Sequence, residues 1–140
     1  MTTTVSILLG NGDGTSTHAA KVEVDTAPSS IAVGDFNNDS NSDLAVAAFF
    51  NTGVVSIRLG NGDGTFTDAP ADIVVGRLPI SVAVGFFNAD SNLDLAVANN
   101  GEGTVSIRLG NGDGTFTDAI DQVFVGTSPS SVAVGPFDTR

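Results

Sequence analysis

The chain has 140 residues, of which 16 are acidic and five are basic, and its formal net charge is −11 at pH 7. This charge repels nucleic acid phosphates and anionic lipids, and the lack of cysteine excludes disulfides, thiolate zinc sites and cysteine catalysis. No run reaches the roughly 18 apolar residues of a membrane helix. We therefore expect no nucleic-acid partner and no membrane insertion, and the 17 glycines and many Asp residues disfavour a helical bundle.

The chain repeats itself. The segment 5–15 returns almost unchanged at 55–65 and again at 105–115, which is a period of 50 residues. A second block, Ser-Ile/Val-Ala-Val-Gly, starts at Ser30, Ser81 and Ser131. The length divided by the period gives about 2.8 repeats.

Each repeat predicts four short strands in the same order. Runs such as 81–85 and 95–98 are continuously apolar and contain small or β-branched residues, which predicts strands buried on both faces. The run 55–59 alternates apolar and polar residues, as a half-buried third strand does. The Gly-Asn-Gly-Asp-Gly segment after it predicts a hairpin turn rather than a phosphate loop, because neither Lys-Ser/Thr nor a helical pattern follows. Residues 66–75 then return as the fourth strand.

This pattern predicts an all-β fold made of β-propeller blades, each a four-stranded antiparallel sheet. The predicted division is a partial blade at 1–29, complete blades at 30–80 and 81–130, and a partial blade at 131–140. Propellers close with about four to eight blades. We therefore expect self-association to complete the fold, as a closed homo-oligomer or a head-to-tail filament.

The string SIAVGDFNNDSNSDLAVA at 30–47, followed by VVSIRLGNGDGTF at 54–66, resembles the FG-GAP/VCBS repeat. The resemblance extends over essentially the whole chain. It implies an integrin-type β-propeller with Ca²⁺ bound in the loop between the first two strands of a blade. It also implies a secreted or cell-surface location, and repeats that carry no catalysis themselves.

Oxygen-bearing side chains occupy every second position of the predicted loop between the first two strands. They are Asp35, Asn37, Asp39, Asn41 and Asp43. Ca²⁺ takes six to eight oxygen ligands, so one such loop can supply several of them. The resemblance implies that Asn41 contributes its backbone carbonyl and the other four their side chains. A turn that hydrogen-bonds its own backbone and binds no metal is the alternative.

The loops depart from the family pattern at several positions. Ser40 stands where the family commonly has glycine, which makes the turn costlier if this residue needs a positive φ. In the second repeat Phe86 replaces the first ligand, and the third repeat ends soon after Phe137-Asp138. A weaker second metal site is predicted at Asn88, Asp90, Asn92 and Asp94.

These observations predict a non-catalytic, calcium-binding β-propeller module. We expect it to act as an extracellular adhesion or structural building block that self-assembles through its blade edges. A lectin-like carbohydrate-binding propeller and an accessory domain of a larger secreted enzyme are the alternatives, so a glycan or a protein ligand stays open. Arg58 and Arg108 lie in the third strand at positions expected to face solvent.

Overall fold

The computed structural model describes residues 3–119 and 122–137, and these contain 14 strands and no helix. Asp138, in the third predicted loop, and the outermost residues of the two partial blades lie outside these ranges. No described helix is long and apolar enough to span a membrane. The strands are β1 Thr3–Val5, β2 Leu8–Gly10, β3 Ser16–His18, β4 Val22–Val24, β5 Pro28–Gly34, β6 Asp43–Ala48, β7 Val54–Gly60, β8 Phe66–Asp68, β9 Ile73–Val74, β10 Pro79–Gly85, β11 Asp94–Asn99, β12 Thr104–Gly110, β13 Phe116–Asp118 and β14 Val123–Phe124.

Two complete antiparallel sheets follow each other along the chain. In the first, β5 pairs with β6, β6 with β7, and both β8 and β9 pair with the outer edge of β7. In the second, β10 to β14 repeat this order. The predicted four-stranded blades are thus confirmed, with a fourth strand in two pieces. In the first sheet Pro70 lies in the break, where it has no amide to donate to a ladder.

The chain starts with the outer half of a blade. β1 pairs with β4 and β2 pairs with β3, so these four pieces form interrupted third and fourth strands. At the other end, residues 131–137 belong to no strand pair among the described residues. The backbone amide of Val132 donates to Ser81 Oγ at 3.3 Å, which places this segment beside β10.

The second strand of each complete blade is buried on both faces, as predicted. Every residue of β6 and β11 is buried. The prediction was wrong for most of the first strands, because Ile31 and Val33 of β5 are exposed and only Val82 and Pro79 of β10 are buried. These strands lie at the inner edge of their sheets, where β5 and β10 contact each other and leave other surfaces uncovered.

The hydrophobic core lies between the two complete sheets. It includes Val55 and Ile57 from the first sheet and Leu95 and Val97 from the second. Phe36, in the loop after β5, packs its ring edge-to-face on Phe116 of β13, with centroids 5.8 Å apart and an interplanar angle of 65°. Such an aromatic pair adds about 0.5–1.5 kcal/mol to simple burial.

The Gly-Asn-Gly-Asp-Gly segments are hairpin turns, as predicted. In the second copy the amide of Asn61 donates to the carbonyl of Thr65 at 3.0 Å, and Gly62 and Gly64 have φ of +82° and +88°. Such φ values favour glycine. Asp63 Oδ1 accepts the amide of Thr65 at 2.9 Å. Hydrogen bonds from the hydroxyl and amide of Thr65 hold the pKa of Asp63 below its ordinary value of 3.8.

Candidate metal loop and blade contacts

The predicted metal loop joins β5 to β6 and curls around the side chain of its first residue. Asp35 Oδ1 accepts the amide of Asp39 at 3.1 Å, and Asp35 Oδ2 accepts the amide of Ser40 at 2.8 Å. Asn38 and Ser40 have φ of +59° and +71°. Ser40 therefore adopts the left-handed backbone that favours glycine, at a cost of roughly 1 kcal/mol or more.

Asn37 and Asp39 extend the hydrogen bonding within the loop. Asp39 Oδ1 accepts the amide of Asn41 at 2.8 Å, and Asn37 Nδ2 donates to Asp39 Oδ2 at 3.1 Å. The hydrogen bond from Asn41 is the main cause that holds the pKa of Asp39 below 3.8. These hydrogen bonds therefore hold the side chains of Asp35, Asn37 and Asp39 within one partly exposed turn.

Asp43 lies at the base of the loop and is fully buried. Its Oδ2 accepts the amide of Phe36 at 2.8 Å, and its Oδ1 accepts the amide of Gly60 at 2.8 Å. Burial raises the pKa of Asp43 above 3.8 against the effect of these two hydrogen bonds. The negative charges of Asp39 and Asp35 raise it further. Burial is therefore the main cause of the raised pKa of Asp43, and the charges of Asp39 and Asp35 add a smaller contribution.

The second loop keeps only part of this arrangement. Asp94 is fully buried, and its oxygens accept the amides of Phe87 at 2.7 Å and Gly110 at 2.9 Å. Asn88 Nδ2 donates to Asp90 Oδ2 at 3.1 Å, as Asn37 does to Asp39. A further hydrogen bond, at 3.0 Å, joins the amide of Asn92 to Asp90 Oδ1. Phe86 has no oxygen in its side chain to replace Asp35, and none of the non-glycine residues of this loop has a positive φ.

The first loop offers donors that fit a calcium ion. All of its side-chain acceptors are oxygens, from carboxylates, amides and two serine hydroxyls, and hard cations prefer oxygen ligands. Each carboxylate oxygen that accepts one hydrogen bond keeps a second lone pair. A cation beside Asp35 and Asp39 would also offset the smaller part of the raised pKa of Asp43 that comes from their negative charges. Among residues 3–119 and 122–137, no group of three or more His, Cys, Asp or Glu side chains stands close enough to hold a metal by itself.

The loops also join neighbouring blades. Asn38 Nδ2 donates to Asn92 Oδ1 at 3.1 Å and to the carbonyl of Gly112 at 3.3 Å. The amide of Gly114 donates to the carbonyl of Phe36 at 2.9 Å. The tip of the first loop therefore rests on the second loop and on the hairpin of the next blade, which the sequence analysis did not predict.

Arg108 forms a second contact between blades, and the prediction that it faces solvent was wrong. Only 8% of the residue is exposed. Its Nε and Nη2 donate to the carbonyl of Val74, in the preceding blade, at 2.9 and 2.8 Å, and its Nε lies 3.1 Å from Asp118 Oδ1. The guanidinium therefore ties β12 to the outer strand of the blade before it.

Arg58 repeats this contact one blade earlier. Its Nε donates to the carbonyl of Glu23 at 3.1 Å and lies 3.2 Å from Asp68 Oδ1. Its side chain is largely covered, so the solvent-facing prediction was wrong here too. The hairpin pattern in the sequence indicates the pairing of Arg58 with Asp68, which lies opposite it in the strand pair, but not the contact with Glu23.

A third contact between blades uses different residues in the two interfaces. In the first interface the hydroxyl of Ser56 donates to the carboxylate of Asp25. In the second interface Gly76 stands in place of Asp25, and the amide of Asn99 fills the space that a Cβ of Gly76 would need. Asn99 Nδ2 donates to Ser106 Oγ at 2.8 Å, while its Oδ1 is buried and has no hydrogen-bond partner among the described residues.

Two clefts open at the outer rim between consecutive blades. The first has a volume of about 420 Å³ and is lined by Arg58, Phe66 and Asp68 together with residues 20–25. The second, of about 330 Å³, is lined by Phe116 and Asp118 with residues 71–74. Each cleft therefore pairs an aromatic ring with a carboxylate.

Comparison with family models gave two matches, one in each half of the chain. A model described as FG-GAP repeat matches residues 27–57, and a model described as FG-GAP-like repeat matches residues 87–139. The first match contains the loop from Asp35 to Asp43, and the second contains the loop from Asn88 to Asp94. No curated protein and no solved structure matches the chain significantly.

Proposed function

The chain belongs to the FG-GAP repeat family, and on that premise we propose that it is a non-catalytic, calcium-binding β-propeller module. Its four-stranded sheets are propeller blades. FG-GAP repeats are typical of extracellular and cell-surface proteins. We propose that this module acts there as an adhesion or structural building block, which assembles with further copies through its blade edges.

The observation that supports calcium binding is the set of oxygen donors in the curled first loop, in which Asp35 accepts the amides of Asp39 and Ser40. The charges of Asp39 and Asp35 also contribute, less than burial does, to the raised pKa of Asp43. Asp35, Asn37 and Asp39 would hold the ion with oxygen atoms of the exposed curl, and Asp43 would anchor the loop from below. Bound Ca²⁺ supplies positive charge that neutralises this cluster.

Thermal unfolding with and without Ca²⁺ tests this proposal. Calcium at 100 times its dissociation constant should stabilise the fold by about 2.7 kcal/mol, and EDTA should lower the melting temperature. Asp35→Asn should remove this response, whereas Asp72→Asn, at an exposed position outside both loops, should keep it. A melting temperature that is the same in EDTA and in Ca²⁺ at neutral pH would rule out a stabilising ion.

Self-assembly is supported by exposed apolar side chains at both ends of the blade array. Leu8 and Leu9 are exposed on the first, partial blade, and Val123, Phe124 and Val125 are exposed on the last complete blade. Blades inside the chain bury such surfaces against each other, so a second copy could cover them in the same way. Sedimentation should show oligomers whose population grows with concentration. A monomer at every concentration would contradict self-assembly.

Carbohydrate binding is the second candidate, favoured by the two rim clefts. An aromatic ring beside a carboxylate suits a sugar, which presents both apolar C–H groups and hydroxyls. Phe66 and Asp68 provide this pair in the larger cleft. A glycan array should then show hits that Phe66→Ala removes, with Phe86→Ala, at an exposed position outside the clefts, as the control. An array without hits would count against this function.

A further inference from the structure

The first strands of successive blades meet through a repeated hydrogen bond. Ser30 Oγ accepts the amide of Val82 at 3.1 Å, which joins β5 to β10. Ser81 Oγ accepts the amide of Val132 at 3.3 Å, which joins β10 to residues 131–135. Equivalent serines therefore make the same contact at both interfaces. In each case the serine hydroxyl of one first strand accepts a backbone amide of the next first strand.

On the other side of β5 this contact has no counterpart among the described residues. Ile31 holds in β5 the position that Val82 holds in β10. Val82 is 6% exposed, but Ile31 is 43% and Val33 56% exposed. A cavity of about 480 Å³ lies beside Ile31, between β1 and β5, and is lined by Thr4–Ser6 and 28–31.

The segment 131–135 carries the complementary surface. It has the sequence Ser-Val-Ala-Val-Gly, like the corresponding part of β10, and Ser131 holds the position of Ser30 and Ser81. Neither 131–137 nor 28–34 contains a charged residue. The nearest charges along the chain are Asp35 and Asp138, each of which directly follows one of these segments.

Resting on the proposed self-assembly, we infer that residues 131–135 of one copy dock on β5 of the next. The hydroxyl of Ser131 then accepts the amide of Ile31 of the other copy, and Ile31 and Val33 become buried. Each copy presents residues 131–135 to one neighbour and β5 to the other, so the contact is head-to-tail. It closes into a ring if the rotation between copies allows closure, and otherwise it forms a filament.

The interface between β10 and residues 131–135 also indicates which two positions should be in contact between copies. A Cβ on Gly85 would lie 2.7 Å from Cγ1 of Val134, so these positions of neighbouring first strands are in contact. The equivalent pair between two copies is Gly135 of one and Val33 of the other. Because Cγ1 is one bond from Cβ, the Cβ atoms at these two positions are close enough for the Cβ distance of about 3.5–4.5 Å in a disulfide.

Cysteine pairing tests this contact, because the natural chain has no cysteine. Val33→Cys and Gly135→Cys proteins, mixed under mild oxidation, should form a disulfide-linked dimer that neither forms alone. Val33→Cys mixed with Val74→Cys is the matched control, since Val74 is 70% exposed on an outer strand. Gly85→Cys combined with Val134→Cys should form the bond within one chain and serves as the positive control.

Sedimentation of the natural protein distinguishes failure of this docking contact from failure of self-assembly itself. Oligomers without the Val33 to Gly135 crosslink would overturn this inference and leave self-assembly standing, whereas a monomer at all concentrations would overturn both. Val33→Asp should weaken association roughly tenfold or more, because a charge replaces a buried apolar side chain. The melting temperature of the monomeric Val33→Asp protein should equal that of the natural monomer. Val74→Asp should leave association as it is.

Discussion

The carboxylate of Asp43 accepts a hydrogen bond from the backbone amide of Gly60 at 2.8 Å across 17 positions of sequence. Its other oxygen accepts the amide of Phe36, so one buried group fixes the start of the loop and the end of β7. Asp94 and Gly110 repeat the relationship at 2.9 Å in the next blade. The last acidic residue of each loop is therefore part of the blade itself, whether or not the loop binds a metal.

Asp43→Asn should destabilise the protein strongly, even without calcium. An amide has only one acceptor oxygen, so its NH₂ group would face one of the two buried amides that Asp43 now accepts. We expect a loss of about 2–4 kcal/mol in urea unfolding with EDTA present. The exposed Asp72→Asn should stay within about 0.5 kcal/mol. Equal stability of the two variants would show that Asp43 does not anchor the blade.

Much of this blade could be predicted from the sequence, because each strand is encoded locally. The alternation at 55–59 and the glycines of the hairpin turn indicate β7 and its turn without any other part of the chain. The anchoring role of Asp43 was harder to predict, since a metal ligand and a buried acceptor of backbone amides both require an acidic residue at this position. Only the folded position of Gly60 reveals the second role.

The arginine positions show why contacts between blades were missed. Arg108 lies between the apolar residues Ile107 and Leu109 of β12, and by alternation its side chain would be expected on the opposite face of the sheet, toward water. The carbonyl of Val74 that it contacts comes from 34 positions earlier, in another blade. A strand pattern describes one sheet and carries no information about the neighbour that covers its outer part.

Arg108→Met should destabilise the protein more than Arg58→Met. Arg108 gives two hydrogen bonds to Val74, whereas Arg58 gives one, at 3.1 Å, to Glu23. We expect losses of about 2–3 and 1–2 kcal/mol respectively in urea unfolding. Arg77→Met, at an exposed position, is the control and should change stability by less than about 0.5 kcal/mol. The reverse order for Arg58 and Arg108 would contradict this account.

Ser40→Gly should stabilise the protein. Ser40 has a φ of +71°, which glycine adopts without steric cost, so relief of strain should exceed the added flexibility of the unfolded chain. The expected gain is about 0.5–1 kcal/mol in the free energy of unfolding. Ser42→Gly is the matched control, because Ser42 has no positive φ and the same substitution should give no gain. A loss at position 40 would show that the serine side chain contributes to the turn.

The hairpin acids give a prediction for pH. Thr65 donates to Asp63 and holds its pKa below 3.8, so the folded state favours the charged form. This contribution is present above the unfolded pKa and is lost as the pH falls through the lower folded pKa. Thr65→Val should therefore move the pKa of Asp63, measured by NMR titration, back toward 3.8. Thr67→Val, on the exposed part of β8, should leave it where it is.

Phe86→Asp should restore the second metal loop if the first residue is what this loop lacks. Asn88, Asp90 and the anchoring Asp94 keep the contacts that their counterparts make in the first loop. Phe86 is 62% exposed, so its replacement should not disturb the core. Calcium titration calorimetry should show one additional equivalent bound, while Phe86→Ala should bind no more than the natural chain. If Phe86→Asp gains no calcium, the backbone curl around Asp35, with positive φ at Asn38 and Ser40, is the missing element rather than the carboxylate.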